Sequence, residues 1–251
     1  MRPRSYVRVQ GPDAEDFLQR MLSNDVSGDV CDALLLTPKA RVIAPLRVWR
    51  RGPDDFLLLT EPGLGEAVRA ALLRARFAAR CEIELEEHSS AVVLRGGEGI
   101  PNDDYGVGAV EVLDEVLEPT VSEEELEVLR ISAGTPLYGR EIDDRVLPAE
   151  AGLVERAVSF TKGCYPGQEP IARLHYRGHA NRSLRVLELE GNVPPYDAEV
   201  SYEGKQVGRV TSAVHDGERV LALAYVRVEV PEDAELLVGS AVARPRAPVA
   251  G

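Results

Sequence analysis

The residues best able to do chemistry fall in one run, Lys162-Gly163-Cys164-Tyr165-Pro166-Gly167-Gln168-Glu169. The chain of 251 residues holds three lysines, three cysteines and four glutamines, and this octet takes one of each. Two of the four histidines, His175 and His179, follow closely. Tyr165-Pro166-Gly167 predicts a type II turn, with proline fixing its own φ and glycine supplying the positive φ. Gly163 leaves room for a ligand or a neighbouring strand to approach the backbone. Extended backbone before the turn would project Lys162 and Cys164 from one face, and an ammonium beside a thiol favours the thiolate. Cys164 is thus the expected nucleophile and Lys162 its activator. A free cysteine is more often a small buried hydrophobe. The lysine, glycines, amide and carboxylate around Cys164 favour a functional role over packing.

Charge reinforces that choice. Arg156, Lys162, Arg173, Arg177, Arg182 and Arg185 face a single acid, Glu169, over their span, in a chain of formal net charge -13. A basic island in an acidic protein suits a small anion, although ion pairing with the acidic remainder would produce the same composition. The acidity of the whole, with no zinc-finger or helix-turn-helix spacing, argues against nucleic acid as a partner. The segment from Glu98 to Glu127 carries eleven acids and no base and reads as a solvated edge. Cys31, Cys81 and Cys164 form neither a CxxC pair nor a disulfide framework, so no self-contained metal site is expected. His175 and His179 are spaced as on one helical face, but Gly178 lies between them and no general base accompanies them, so they read as cleft or core histidines. No apolar stretch approaches the ~20 residues of a membrane helix. The start, Met1 to Ser5, lacks a signal-peptide core, and a cytoplasmic monomer is expected.

The elements that must position the octet follow from periodicity. Tyr6 to Gln10, Leu34 to Thr37, Val42 to Trp49 and Phe56 to Thr60 read as strands. Asp13 is placed to cap a helix with Phe17, Leu18 and Met21 inward, and Ser23-Asn24-Asp25 ends it. Leu64 to Ala78 reads as an amphipathic helix, followed by a strand burying Cys81, Ile83 and Leu85. Ser122 and Glu125 form a capping box opening a helix with Leu126, Leu129 and Arg130. After Ser183 only strands remain: Leu184 to Leu189, Glu199 to Tyr202, Val207 to Val214 and Val220 to Val228, with a hairpin turn at Asp216-Gly217. This is an α+β body followed by a small β-barrel, expected as segments 1–90 and 91–182 and then 183–251. Pro166 and Pro170 should stiffen the turn and push Glu169 to an extended conformation.

The octet is similar to the signature of the YgfZ family of folate-binding proteins, which are implicated in iron-sulfur cluster assembly or repair, and meets each fixed position of that signature. Arg130 to Gly139 and Pro148 to Leu153 resemble a segment that family shares with the glycine cleavage T-protein, a tetrahydrofolate-dependent aminomethyltransferase. Gly11 to Val26 resembles the superfamily's N-terminal helix and turn, with serine where threonine is usual. The resemblance implies a three-lobed ring around a central cavity for tetrahydrofolate. It also implies folate contacts at Asn24, Asp25, Tyr138, Glu150, Tyr165, Gln168, Glu169 and Arg173, with iron-sulfur client or assembly proteins as partners. Where the T-protein carries paired aspartates, this chain has Val42-Ile43-Ala44-Pro45-Leu46, which cannot hold a charged amine. Asp54-Asp55 is the nearest substitute. Three readings stay open: a folate-dependent accessory factor using Cys164, a folate-dependent transferase, and a non-catalytic folate-binding module.

Overall fold

The computed structural model describes residues 3–249; Met1, Arg2, Ala250 and Gly251, which the sequence reading included at the two ends, lie outside the described residues. The first unit is built from β1 (Ser5–Gln10), α1 (Ala14–Met21), β2 (Val30–Leu36), β3 (Val42–Gly52), β4 (Asp55–Thr60), α2 (Gly65–Ala75) and β5 (Glu82–Glu86). Its sheet runs β2-β3-β4-β1-β5, and the pairs are antiparallel. One face buries Val7, Val9, Phe56 and Leu58 against Phe17 and Leu18 of α1 and Val68 and Leu72 of α2. The other face buries Tyr6, Leu57 and Leu59 against Ile100 of the next unit. Burial on both faces explains why β4 reads as an unbroken apolar run, Phe-Leu-Leu-Leu, without alternation.

Several boundaries differ from the sequence reading. Asp13 precedes α1, but its carboxylate makes no cap; it accepts from the backbone and guanidinium of Arg80 and falls to a pKa of about 2 through those bonds. The second helix ends at Ala75, and the Leu85 side chain, expected inside, is exposed at the sheet edge. A three-stranded sheet, order β6-β8-β7, is built from β6 (Ser90–Leu94), β7 (Ile100–Asn102) and β8 (Ala109–Leu113), so the segment from Glu98 read as a solvated acidic edge supplies two of its strands. The Ser122 capping box forms in full at the start of α3 (Glu123–Ser132).

A short helix α4 (Val154–Ala157) and then α5 (Gln168–Arg177) lead into the barrel. The barrel is closed by β9 (Arg182–Glu190), β10 (Glu199–Tyr202), β11 (Lys205–Asp216), β12 (Arg219–Arg227), β13 (Leu236–Val238) and β14 (Ala241–Arg246) in the order β10-β11-β12-β9-β14-β13. The last two strands are short, and sequence periodicity missed them. Closure removes the unpaired edges that an open four-stranded set would leave. The barrel is tied to the body by Tyr225, which packs among Leu34, Leu36 and Ile142 and donates from its hydroxyl to the Glu141 carbonyl at 2.8 Å. The architecture is the α+β body with a terminal barrel that the sequence predicts.

Candidate functional site

The octet forms the expected corner. Gly167 has φ 85° and ψ 0°, and the Gln168 amide donates to the Tyr165 carbonyl at 3.3 Å, closing a type II turn that opens α5. A Cβ at Gly167 would stand 2.7 Å from the Thr37 carbonyl oxygen, so this glycine provides both the conformation and the close approach. Gly163, expected to do the latter, has no heavy atom within 4 Å of its Cβ position. Glu169 is helical rather than extended, because Pro170 falls in the first turn of α5, where its missing N–H is not needed.

Lys162 is placed differently from the expectation. Its Nζ donates to the carbonyls of Leu22 at 2.8 Å and Asn24 at 2.7 Å, and lies 5.6 Å from the centre of the Tyr165 ring. Burial lowers its pKa to about 8, against the opposing pull of Asp25 and Cys31. The thiol in its field is therefore Cys31, itself pushed up to about 12 by burial and by Asp32. The role of Lys162 as activator of Cys164 is corrected: the lysine clamps the octet onto the end of α1. Cys164 is the exposed cysteine of the three, while Cys81 is buried and Cys31 half-buried. It is held two residues after the Lys162 clamp and three before the Gly167 contact, so an exposed thiol sits on a loop braced at both sides.

The residues that the resemblance assigns to folate are scattered in role. Asn24 donates to the carbonyls of Asp32 (2.7 Å) and Arg156 (3.2 Å). Asp25 is exposed and accepts from the Ser27 amide and the Gln19 side chain, which hold its carboxyl below the usual range. Tyr138 packs half-buried beside Ile142. Glu150 is buried and takes both ends of the Arg182 guanidinium at 3.1 and 3.2 Å. Tyr165 is buried, its hydroxyl lacks a hydrogen-bond partner, and burial raises its pKa to about 12. Gln168 is half-buried, and Glu169 and Arg173 are exposed on α5.

Charges dispersed along the sequence converge on the ring centre. Asp32 accepts from Arg47 at 3.0 Å and from Arg156 at 2.9 Å. Asp104 is bridged by Arg156 at 2.8 Å, Arg47 at 3.3 Å and Arg4 at 3.7 Å. Arg4 also grips Glu111 with two bonds, at 3.0 and 2.9 Å. Burial works against the charge on Arg156, but Asp32 and Asp104 outweigh it and raise its pKa. The space left is about 60 Å³, lined by Arg4, Asp32, Pro45, Arg47, Asp104 and Arg156 among others. That is room for about two waters, against the ~300–1,000 Å³ of a small-molecule site. With these side chains paired as they are, the space is smaller than a reduced pterin with its glutamate tail needs.

Pro45 lines the cavity where a transferase would need a free carboxylate, and the aspartates present are bound to arginines. Asp55, the nearest substitute by sequence, pairs with Arg8 and Arg51 at the far end of the sheet. Of the basic island, Arg156 and Arg182 are spent on carboxylates and Arg185 on the carbonyls of Val230 and Pro231. Arg173 and Arg177 stay exposed on α5. His175 stacks on Phe160 with centroids 4.2 Å apart, and both it and His179 are exposed, which overturns their reading as cleft or core histidines. The ring-centre aspartates were missed because Asp32 lies singly in β2 and Asp104 stands beside Asp103 in the acidic stretch read as solvated.

Known proteins share this architecture. Residues 181–250 match the family described as CAF17, C-terminal beta-barrel domain. The chain is 28% identical over 236 residues to an uncharacterized protein of Haemophilus influenzae, covering 83% of this chain and 81% of that one. It is 42% identical over 66 residues to the tRNA-modifying protein YgfZ of Buchnera aphidicola, a stretch spanning 26% of this chain and only 21% of the relative. The crystal structure of glycine cleavage system aminomethyltransferase T from Bartonella henselae superposes with a TM-score of 0.81 at 21% identity, over 99% of this chain and 83% of that chain. No helix among the described residues is long and apolar enough to cross a membrane.

Proposed function

We propose that this chain, a YgfZ-type protein related to the aminomethyltransferases, is an accessory factor for iron-sulfur cluster assembly or repair whose working group is the Cys164 thiol. The observation that carries the reading is the exposure of Cys164 between two anchors, the Lys162 clamp and the Gly167 contact. Cysteine is among the most buried residue types, so a solvent-facing thiol on a braced loop is suited to meeting a partner. Bracing reduces the ordering cost of each encounter. Tetrahydrofolate, implied by the family resemblance, is the expected ligand and would enter this centre by parting the ion pairs that now fill it. Aminomethyl transfer is disfavoured by the absence of an unpaired carboxylate beside Pro45.

The test is replacement of the chain in cells by Cys164→Ser. Iron-sulfur client enzymes should lose activity while the amount of the protein is unchanged, and full client activity would overturn the thiol role. Titration of the purified protein with tetrahydrofolate should give saturable one-to-one binding, and its absence would overturn the folate part of this reading.

A second reading has its own observation. Arg173 and Arg177 share α5 and its end with the exposed His175 and Tyr176 rings, which pack against the half-buried Phe160, a combination that suits stacking against a nucleotide and pairing with its phosphate. The Buchnera relative is described as tRNA-modifying. Binding of tRNA that falls steeply with salt and is lost in Arg173→Ala/Arg177→Ala would favour this second surface.

A further inference from the structure

A groove of about 1080 Å³ lies away from both the octet and the ring centre. One wall is β6, through Val92, Val93 and Leu94. The opposite wall is α3. That helix packs on the barrel through Ile131 and lines the groove with Leu126, Val128 and Leu129. The small sheet is committed on its other side, where Ile100 and Leu113 meet Tyr6, Leu57 and Leu59. A gap of this size between a sheet and a helix exposes apolar walls that folding would otherwise bury.

The rim carries the second signal. Glu118, Glu124, Glu125 and Asp216 border the groove against one guanidinium, Arg95, and all five are exposed. An anionic occupant, a fatty acid or a folate tail among them, would meet net negative charge at the mouth. The volume also stands above the usual ~300–1,000 Å³ of small-molecule sites.

We propose that this groove docks a cationic amphipathic helix of a partner protein, its apolar stripe between β6 and α3 and its lysines or arginines over the rim carboxylates. Helix-in-groove binding takes its affinity from the apolar anchors, and complementary charge sets orientation and speeds encounter. The proposal uses none of the residues assigned to the thiol function, so either can fail without the other.

The test uses the intact chain and a fluorescent leucine-lysine peptide of about 18 residues, or five helical turns, patterned as an amphipathic helix. The control is the same peptide with glutamate for lysine. Saturable binding of the lysine peptide is expected, with amide shifts of Val93, Leu94 and Leu129 moving on titration. In Glu118→Lys/Glu124→Lys, two exposed positions whose change should leave the melting transition in place, the lysine peptide should bind about tenfold more weakly and the glutamate peptide more tightly. No saturable binding, equal binding of both peptides, indifference to the charge reversal, or shifts confined to another surface would each overturn the proposal.

Discussion

The ring centre and the α5 surface treat the same residue types in opposite ways. In the centre, Arg4, Arg47 and Arg156 are locked onto Asp32, Asp104 and Glu111, which come from separate units of the chain. On α5 and the loops at its two ends, Arg173, Arg177, His179 and Cys164 face solvent. A charge held from several sides organises the fold, whereas an exposed one is available to a partner. Concentration in sequence marked the second region, and only folding assembled the first.

Removing the carboxylate at the hub should produce the largest effect. Asp104→Ala leaves Arg4, Arg47 and Arg156 facing one another without their shared partner, and breaking such a buried arrangement costs about 3–5 kcal/mol. Urea unfolding followed by circular dichroism measures it. A loss below about 1 kcal/mol, the range of surface ion pairs, would erase the contrast between the two regions. Arg177→Ala on α5 is the matched control and should change stability by no more than about 0.5 kcal/mol.

Gly167→Ala tests the brace of the exposed loop and should come second. The positive φ and the 2.7 Å approach to the Thr37 carbonyl together predict a loss of about 2 kcal/mol. Because the strain is local, alkylation of Cys164 should change in rate while Cys31 and Cys81 stay protected until the chain unfolds. Equal stability of the variant would mean that the turn carries no constraint on the thiol.

Much of the architecture was legible because its signals are local. The capping box at Ser122, the turn at Tyr165-Pro166-Gly167 and the short apolar runs of β9 to β12, with the Asp216-Gly217 turn between the last two, each lie within a few residues. The strands β7 and β8 were hidden by the charge of their segment; Asp104 and Glu111 looked like solvated acids and are buried partners of Arg4 and Arg47. At the octet the turn and the exposed thiol could be read, but not the target of Lys162. Spacing of two pointed to Cys164, whereas the ammonium reaches back to Leu22 and Asn24, about 140 residues away in sequence, a tertiary choice that no local pattern encodes.

The placement of Lys162 gives the smallest and most specific prediction. Burial lowers its folded pKa from 10.5 to about 8, so between those values the unfolded chain binds more protons than the folded one. Stability attributable to this lysine therefore rises as pH climbs from about 8 towards 10.5, and below pH 8 the cost of burying the charge is constant. Loss of the proton keeps two N–H donors, enough for the carbonyls of Leu22 and Asn24, so the clamp itself persists. Cys31 acts in the opposite direction: its thiol ionises near 9 when unfolded and near 12 when folded, so its contribution falls as pH rises through that interval. Comparing wild type with Lys162→Met at each pH largely cancels the cysteine and isolates the lysine. The stability difference in favour of wild type should grow from pH 8 to 10.5. A difference that is flat, or that shrinks, would return the ammonium to solvent, where it could again serve Cys164.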